Sequence, residues 1–260
     1  MDINWALEKV TFSEGATLFG VAPVERFAGA PSGHHPRDFL EKARNVVVIG
    51  VPIPEGVLYR ENMMKGSPIV PEEERLELLQ NYFYHSSAFE IVNTRLEQIS
   101  LRLSLLLQEK GCRTLFFTPT FGKPYNKYYE KYSFAPFSHR HAAVRAGLGE
   151  FGLNNLVVNP KYGPRVRYNS IITEAELSAT PLLEEEACLG SSCAKCLEGC
   201  PGKAIAGANI PLKTHKPDNN IVRLDPVSST NHHLCIKSQE NFFCQGRCLA
   251  VCPVGMEVLD

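Results

Sequence analysis

Apolar positions along the first 180 residues switch between helical and strand periods, which predicts alternating helices and strands. Trp5–Glu14 reads as a helix and Thr17–Ala22 as a short strand. Pro36 can open a helix that runs to Ala43, because proline suits the first helical position. Asn45–Val51 is a continuous apolar run of the kind found in buried strands, and Pro52 and Pro54 stop it. Pro71-Glu72-Glu73-Glu74 starts another helix, with its acids on the positive end of the helix dipole. Ser87-x-x-Glu90 has the form of a capping box, and Gly111 suits the C′ position of the same helix. Between them Val92, Leu96, Ile99, Leu103 and Leu106 recur at helical spacing and predict a core-facing stripe. Thr114–Thr118 reads as a strand, and His139–Gly149 as a helix that ends in glycine ahead of a further strand. This alternation predicts a layered α+β or α/β architecture.

The pattern changes after about residue 180. Long apolar stretches become rare, and the polar segment Lys213–Asn220 interrupts the chain. We therefore expect two domains, 1–180 and 181–260. With 260 residues and 44% hydrophobic content, the chain has enough apolar surface for one large core and a small module. The formal net charge of −1 supplies no global field toward nucleic acid or acidic lipid. The start, Met1-Asp2-Ile3-Asn4-Trp5, lacks a basic and apolar leader, and no apolar run approaches ~18 residues. The expectation is a cytoplasmic protein with no membrane partner.

Eight of the nine cysteines fall between Cys188 and Cys252. They form two groups, Cys188-x4-Cys193-x2-Cys196-x3-Cys200-Pro201 and Cys235-x8-Cys244-x3-Cys248-x3-Cys252-Pro253. Eight thiolates suit two 4Fe–4S clusters, since each iron takes one soft terminal sulfur. The C-x2-C-x3-C-P run is close to the bacterial ferredoxin pattern, in which the last cysteine of each run ligates the other cluster. On that pattern Cys188, Cys193, Cys196 and Cys252 hold one cluster, and Cys200, Cys235, Cys244 and Cys248 hold the second. Such clusters would also staple a segment with little core of its own. Zinc and disulfides are the competing uses of these thiols. Zinc sites are usually built from paired C-x2-4-C knuckles, whereas here only Cys193 and Cys196 are spaced by two. Disulfides need an oxidising compartment. The remaining Cys112 reads as a small packed residue. The pairs His34/His35, His139/His141 and His232/His233 read as surface or capping residues.

Gly147, Gly149 and Gly152 allow close backbone approach to a ligand or to another chain segment. Their G-x-G-x-x-G spacing follows a helix and precedes a strand, which is the wrong context for a dinucleotide fingerprint. The stretch Ala146–Gly163, followed by this cysteine arrangement, resembles the epoxyqueuosine reductases and their relatives the reductive dehalogenases. Leu18–Glu25, Ala43–Val51, the helix Glu90–Cys112 and the triplet Leu234-Cys235-Ile236 add looser matches. The resemblance implies a nitroreductase-related α/β domain carrying a C-terminal ferredoxin-like module with two 4Fe–4S clusters. It further implies cobalamin in a pocket lined by Gly147, Gly149, Gly152, Asn154 and Asn155, with flavin as the alternative occupant. The Glu-Arg pair of the family is His139-Arg140 here, its lysine is Leu153, and its proton-donating acid falls at Ser133. Tyr132 or His139 would then supply the proton.

The implied function is an oxidoreductase in which an external donor such as ferredoxin or flavodoxin feeds the clusters, and a corrinoid reduces a small-molecule substrate. A second reading is an electron-transfer protein that serves a partner protein. A third is an epoxyqueuosine reductase that recruits its RNA platform from another chain. Without the acid and the platform, tRNA is not the expected partner.

Overall fold

The computed structural model describes residues 2–59, 62–120, 135–206, 224–226, 229–244 and 246–256. The described elements, in chain order, are α1 (Ile3–Ser13), β1 (Leu18–Pro23), α2 (Pro36–Phe39), β2 (Asn45–Pro52), α3 (Glu72–Leu79), a π-helical stretch (Gln80–Glu90), α4 (Ile91–Glu109) and β3 (Thr114–Phe116). They continue with α5 (His139–Arg145), β4 (Glu150–Phe151), β5 (Val157–Val158), β6 (Val166–Thr173), α6 (Lys195–Glu198), β7 (Ile205–Ala206), β8 (Ser229–Thr230), α7 (His232–Phe242) and α8 (Arg247–Ala250). The fold is mixed α+β.

The chain forms two compact units, each discontinuous in sequence. The first comprises Met1–Pro52, Asn93–Glu150 and Val166–Glu185, and the second comprises Ile53–Val92, Phe151–Arg165 and Glu186–Asp260. Residues 53–92 and 151–165 thus pack with the cysteine segment, whereas the sequence reading divides the chain once, between 180 and 181.

In the first unit a four-stranded sheet runs in the order β1-β2-β6-β3. All three pairings are antiparallel, with Leu18 opposite Gly50, Asn45 opposite Thr173 and Thr114 opposite Thr173. Helical spacing between strands does not set strand direction, so the parallel α/β alternative is replaced by an antiparallel sheet. Strand β2 is buried from Asn45 to Gly50, which is what its unbroken apolar run requires. Leu96, Ile99, Leu103 and Leu107 of α4 are buried. Leu107, rather than Leu106, continues the stripe because four residues separate it from Leu103 on the helix face. The predicted capping box is not a helix start. Ser87 lies inside the π-helical stretch, and Ile91 donates its N–H to the Ser86 carbonyl. Gly111, at φ +79°, ends α4 as expected, and the next N–H, of Cys112, bonds back to Leu107. Cys112 itself is only partly buried. Helix α2 stops at Phe39, short of Ala43, because Leu40 turns to an extended conformation. His35 caps α2 by accepting from the Arg37 N–H.

The second unit has a small apolar cluster of Ile53, Leu58, Ala88 and Leu249, with Val57, Tyr84, Leu156 and Ala250 packed against it. Its remaining described structure is short. Asn231 caps α7 by accepting from the Leu234 N–H, and Phe243 ends that helix in the left-handed region. Among the described residues no helix is long and apolar enough to cross a membrane.

Candidate functional site

The cysteines sit on short helices and the turns that end them. Cys196 lies on α6, Cys235 on α7 and Cys248 on α8, while Cys193, Cys200, Cys244 and Cys252 lie just outside helices. Ala194 adopts φ +46°, a left-handed turn that redirects the chain between Cys193 and Cys196. Cys188, Cys193, Cys196 and Cys252 line one small cavity, together with Leu153, Asn154, Val158 and Val254. Three of these thiols come from the first motif and one is the last cysteine of the second.

The electrostatics group most of the thiols in the same way, although Cys196 also acts on Cys248. Burial pushes the Cys196 thiol up to about 12, and neighbouring Cys188, Cys252 and Cys193 add to the rise. Burial likewise pushes Cys248 up to about 12, with Cys244, Cys235, Cys196 and Cys200 as its thiol neighbours. Cys235 is raised by burial and by Cys200, and Cys252 by burial and then by Cys188 and Cys193 against the lowering effect of Arg165. A bound cationic metal would let thiols that oppose one another's ionisation become thiolates together. A single zinc ion, with Zn–S near 2.3 Å, would draw its sulfurs to within about 3.8 Å of one another. Among the described residues no group of three or more His, Cys, Asp or Glu side chains is close enough together to hold a single metal ion. The four thiols line one small cavity of about 20 Å³. The Ala204 N–H donates to the Cys200 sulfur at 3.2 Å, the type of contact that tunes a cluster.

A charged group that the sequence reading missed stands beside Cys252. Arg165 is 1% exposed and donates to the carbonyls of Leu249 (3.1 Å), Cys252 (3.0 Å) and Val254. Its Nε lies 3.2 Å from Glu55 Oε1, off the line of a good hydrogen bond. Tyr59 is 42% exposed, and the partial desolvation of its phenol, with Glu55 and Cys252, raises its pKa against the lowering effect of Arg165. No spacing rule marks these residues, since their partners lie about a hundred positions away in the chain.

The residues proposed to line a pocket have visible packing roles. A Cβ on Gly147, at φ +72°, would fall 1.9 Å from the Pro181 carbonyl oxygen. A Cβ on Gly152 would meet Val158 at 2.5 Å and the Cys188 sulfur at 3.5 Å. Gly149 is buried. Asn154 is 5% exposed, accepts from the Leu156 N–H and borders the cysteine cavity. Asn155 takes a left-handed φ of +58° in the turn between β4 and β5. Tyr132 and Ser133 lie outside the described residues, as does Lys213–Asn220.

His139 opens α5 and borders a cavity of about 270 Å³ formed with Phe117, Thr118, Pro119, Ala135, Pro136 and Phe137. Its Nε2 lies 3.0 Å from the Thr118 carbonyl and its Nδ1 3.0 Å from the Ser170 hydroxyl. A carbonyl only accepts, so the proton sits on Nε2 and Nδ1 accepts from Ser170. Burial lowers its pKa to about 4, with Arg167 adding to the fall and the Thr118 contact opposing it. His139 is therefore neutral at pH 7. A base whose folded pKa lies below its ordinary 6.5 contributes stability that is whole above pH 6.5 and lost as pH falls toward 4, where only the unfolded chain takes up the proton. Thermal unfolding should show it. The melting temperature should drop more steeply between pH 6.5 and 4 in the wild type than in His139→Gln, and parallel curves would count against it.

No protein-family model matches the chain. It is 36% identical over 93 residues to tetrachloroethene reductive dehalogenase of Dehalobacter restrictus, covering 35% of this chain and 16% of that protein. It is 25% identical over 182 residues to epoxyqueuosine reductase of Staphylococcus aureus, covering 70% of this chain and 40% of that one. The solved epoxyqueuosine reductase of Streptococcus thermophilus superposes on 98% of the chain with a TM-score of 0.55 at 15% identity, over 66% of its own length. The chain is similar in sequence to parts of the epoxyqueuosine reductases and reductive dehalogenases and shares their fold. It spans less than half the length of these curated relatives. A solved reductive dehalogenase described in terms of B12-dependent dehalogenation shares the fold over 95% of this chain and 31% of its own, with a TM-score of 0.61 at 17% identity.

Proposed function

We propose that this chain holds two 4Fe–4S clusters in a ferredoxin-like module and, with a corrinoid, reduces a small substrate. The observation that carries this reading is the cavity lined by Cys188, Cys193, Cys196 and Cys252. The donor set fits: the thiolates are soft, they line one cavity, and they are drawn from both motifs. Cys200, Cys235, Cys244 and Cys248 would hold the second cluster. When bound, the clusters supply one-electron transfer from an external donor such as ferredoxin or flavodoxin. The corrinoid rests on kinship with reductases, one of them described in terms of B12, because Pro181 and Val158 already take the space facing Gly147 and Gly152. When bound, a corrinoid would supply the strongly reducing metal centre. The chain's own cysteines would bind and position the clusters, and Tyr132 is preferred as proton donor because both His139 nitrogens are engaged.

The test is anaerobic reconstitution with iron and sulfide, followed by titration with cobalamin. Two cubes require about eight irons per chain. Cobalt retained through gel filtration with a base-off spectrum supports the whole proposal. Loaded clusters without retained cobalt would leave an electron-transfer protein, and retained flavin would make the chain a flavoenzyme. Material that binds zinc in place of iron defeats the reading.

A further inference from the structure

We infer that buried Arg165, paired with partly buried Glu55, positions Cys252 and sets the reduction potential of the cluster it holds. The inference rests on the proposed cluster reading. Arg165 is a fully buried cation, and burial of a guanidinium is costly unless its donors and charge are met. Its donors meet three carbonyls, of Leu249, Cys252 and Val254, all in the short segment that presents Cys252. That segment lies outside every strand, and Pro253 removes one of its N–H groups, so the guanidinium does the holding that a neighbouring strand would otherwise do.

The hold is tight on the backbone side as well. A Cβ on Gly163 would come within 2.2 Å of the Val254 carbonyl oxygen, and one on Gly255 within 2.5 Å of the Lys161 carbonyl oxygen. The Asn159–Gly163 turn, closed by its own backbone bridge, therefore presses directly on the Cys252-Pro253-Val254-Gly255 loop. Arg165 follows that turn and binds the same loop.

The charge has a second effect. A cluster that accepts one electron gains one negative charge, which a nearby cation favours and a nearby anion opposes. Arg165 therefore raises the potential of the Cys252 cluster, and Glu55 offsets part of that rise. Glu55 Oε2 is buried and has no hydrogen-bond partner among the described residues, so its charge is balanced chiefly by Arg165.

The experiment is a potentiometric titration of the anaerobically reconstituted full chain, followed by visible and electron paramagnetic resonance spectra, together with iron release to a chelator. Glu55→Gln should move one cluster to a less negative potential and leave the other in place. Arg165→Gln should move the same cluster the opposite way. Arg165→Lys keeps the charge but loses the fork, so it should hold the potential closer to wild type while releasing iron several-fold faster. Unchanged potentials in Glu55→Gln, or equal shifts at both clusters, overturn the electrostatic role. Iron release from Arg165→Lys at the wild-type rate overturns the positioning role. A wild-type chain that takes up no iron defeats the cluster reading instead, a result distinct from either.

Discussion

Cys252→Ser should cost the chain the same cluster as Cys196→Ser, although the two residues belong to different motifs. The reason is spatial. Cys252 lines the cavity with Cys188, Cys193 and Cys196, and its thiol is raised by Cys188 and Cys193. Cys248, four residues earlier, has Cys244 and Cys235 as its first thiol neighbours. A serine hydroxyl is a harder and far less acidic ligand than a thiol, so one iron corner is lost and the cube becomes labile. Iron after anaerobic reconstitution should fall from about eight to about four per chain in each variant. The spectrum that remains in Cys252→Ser should match that of Cys196→Ser. Cys200→Ser and Cys248→Ser should leave the complementary spectrum. If Cys252→Ser pairs with Cys248→Ser, each motif holds its own cluster and the crossed assignment is wrong.

Gly147→Ala should be the most damaging single methyl group in the first unit. Two costs add at this position. The left-handed φ of +72° penalises any L side chain by about 1–2 kcal/mol. The new Cβ would then lie 1.9 Å from the Pro181 carbonyl oxygen, a backbone atom with no rotamer to yield, and overpacking of this kind costs about 1–3 kcal/mol more. A total near 2–5 kcal/mol corresponds to a fall in melting temperature of roughly 5–15 °C for a chain of this size. Gly29→Ala is the control, because nothing lies within 4 Å of a Cβ there. Equal melting temperatures for the two variants would show that the Pro181 segment moves aside freely. The result also bears on the glycine-rich stretch. A large loss means that Gly147 is required for packing whether or not a ligand is bound.

The elements most legible in the sequence were those whose burial is uniform or strictly periodic. Strand β2 announced itself because every residue from Val46 to Gly50 is buried and nothing polar interrupts them. Strand β6 went unread although it is central, since Arg167, Asn169 and Ser170 break its apolar run. Those polar groups are met by distant partners: Arg167 by Asn93 and Thr120, and Asn169 by Ser100. A hydrogen bond between residues 69 positions apart leaves no trace in local pattern. The Ser87-x-x-Glu90 box failed for the opposite reason. Its local signal was sound, but the chain entering it was already helical, so there was no free N-terminus to cap.

The number of thiols, their spacing and the prolines that follow them are properties of the chain itself, and they carry the expectation of cluster chemistry. Close spacing works as a signal because three ligands within nine residues can reach one cube only through their own short loops. Tertiary structure decided which surroundings those thiols share. It joined residues 53–92 and 151–165 to the cysteine segment and set Arg165 and Glu55 against the Cys252 loop. Charge–charge and donor–acceptor contacts act through distance in space, and about a hundred residues separate Glu55 from Arg165 along the chain. No periodicity or motif could bring them together before the chain folded.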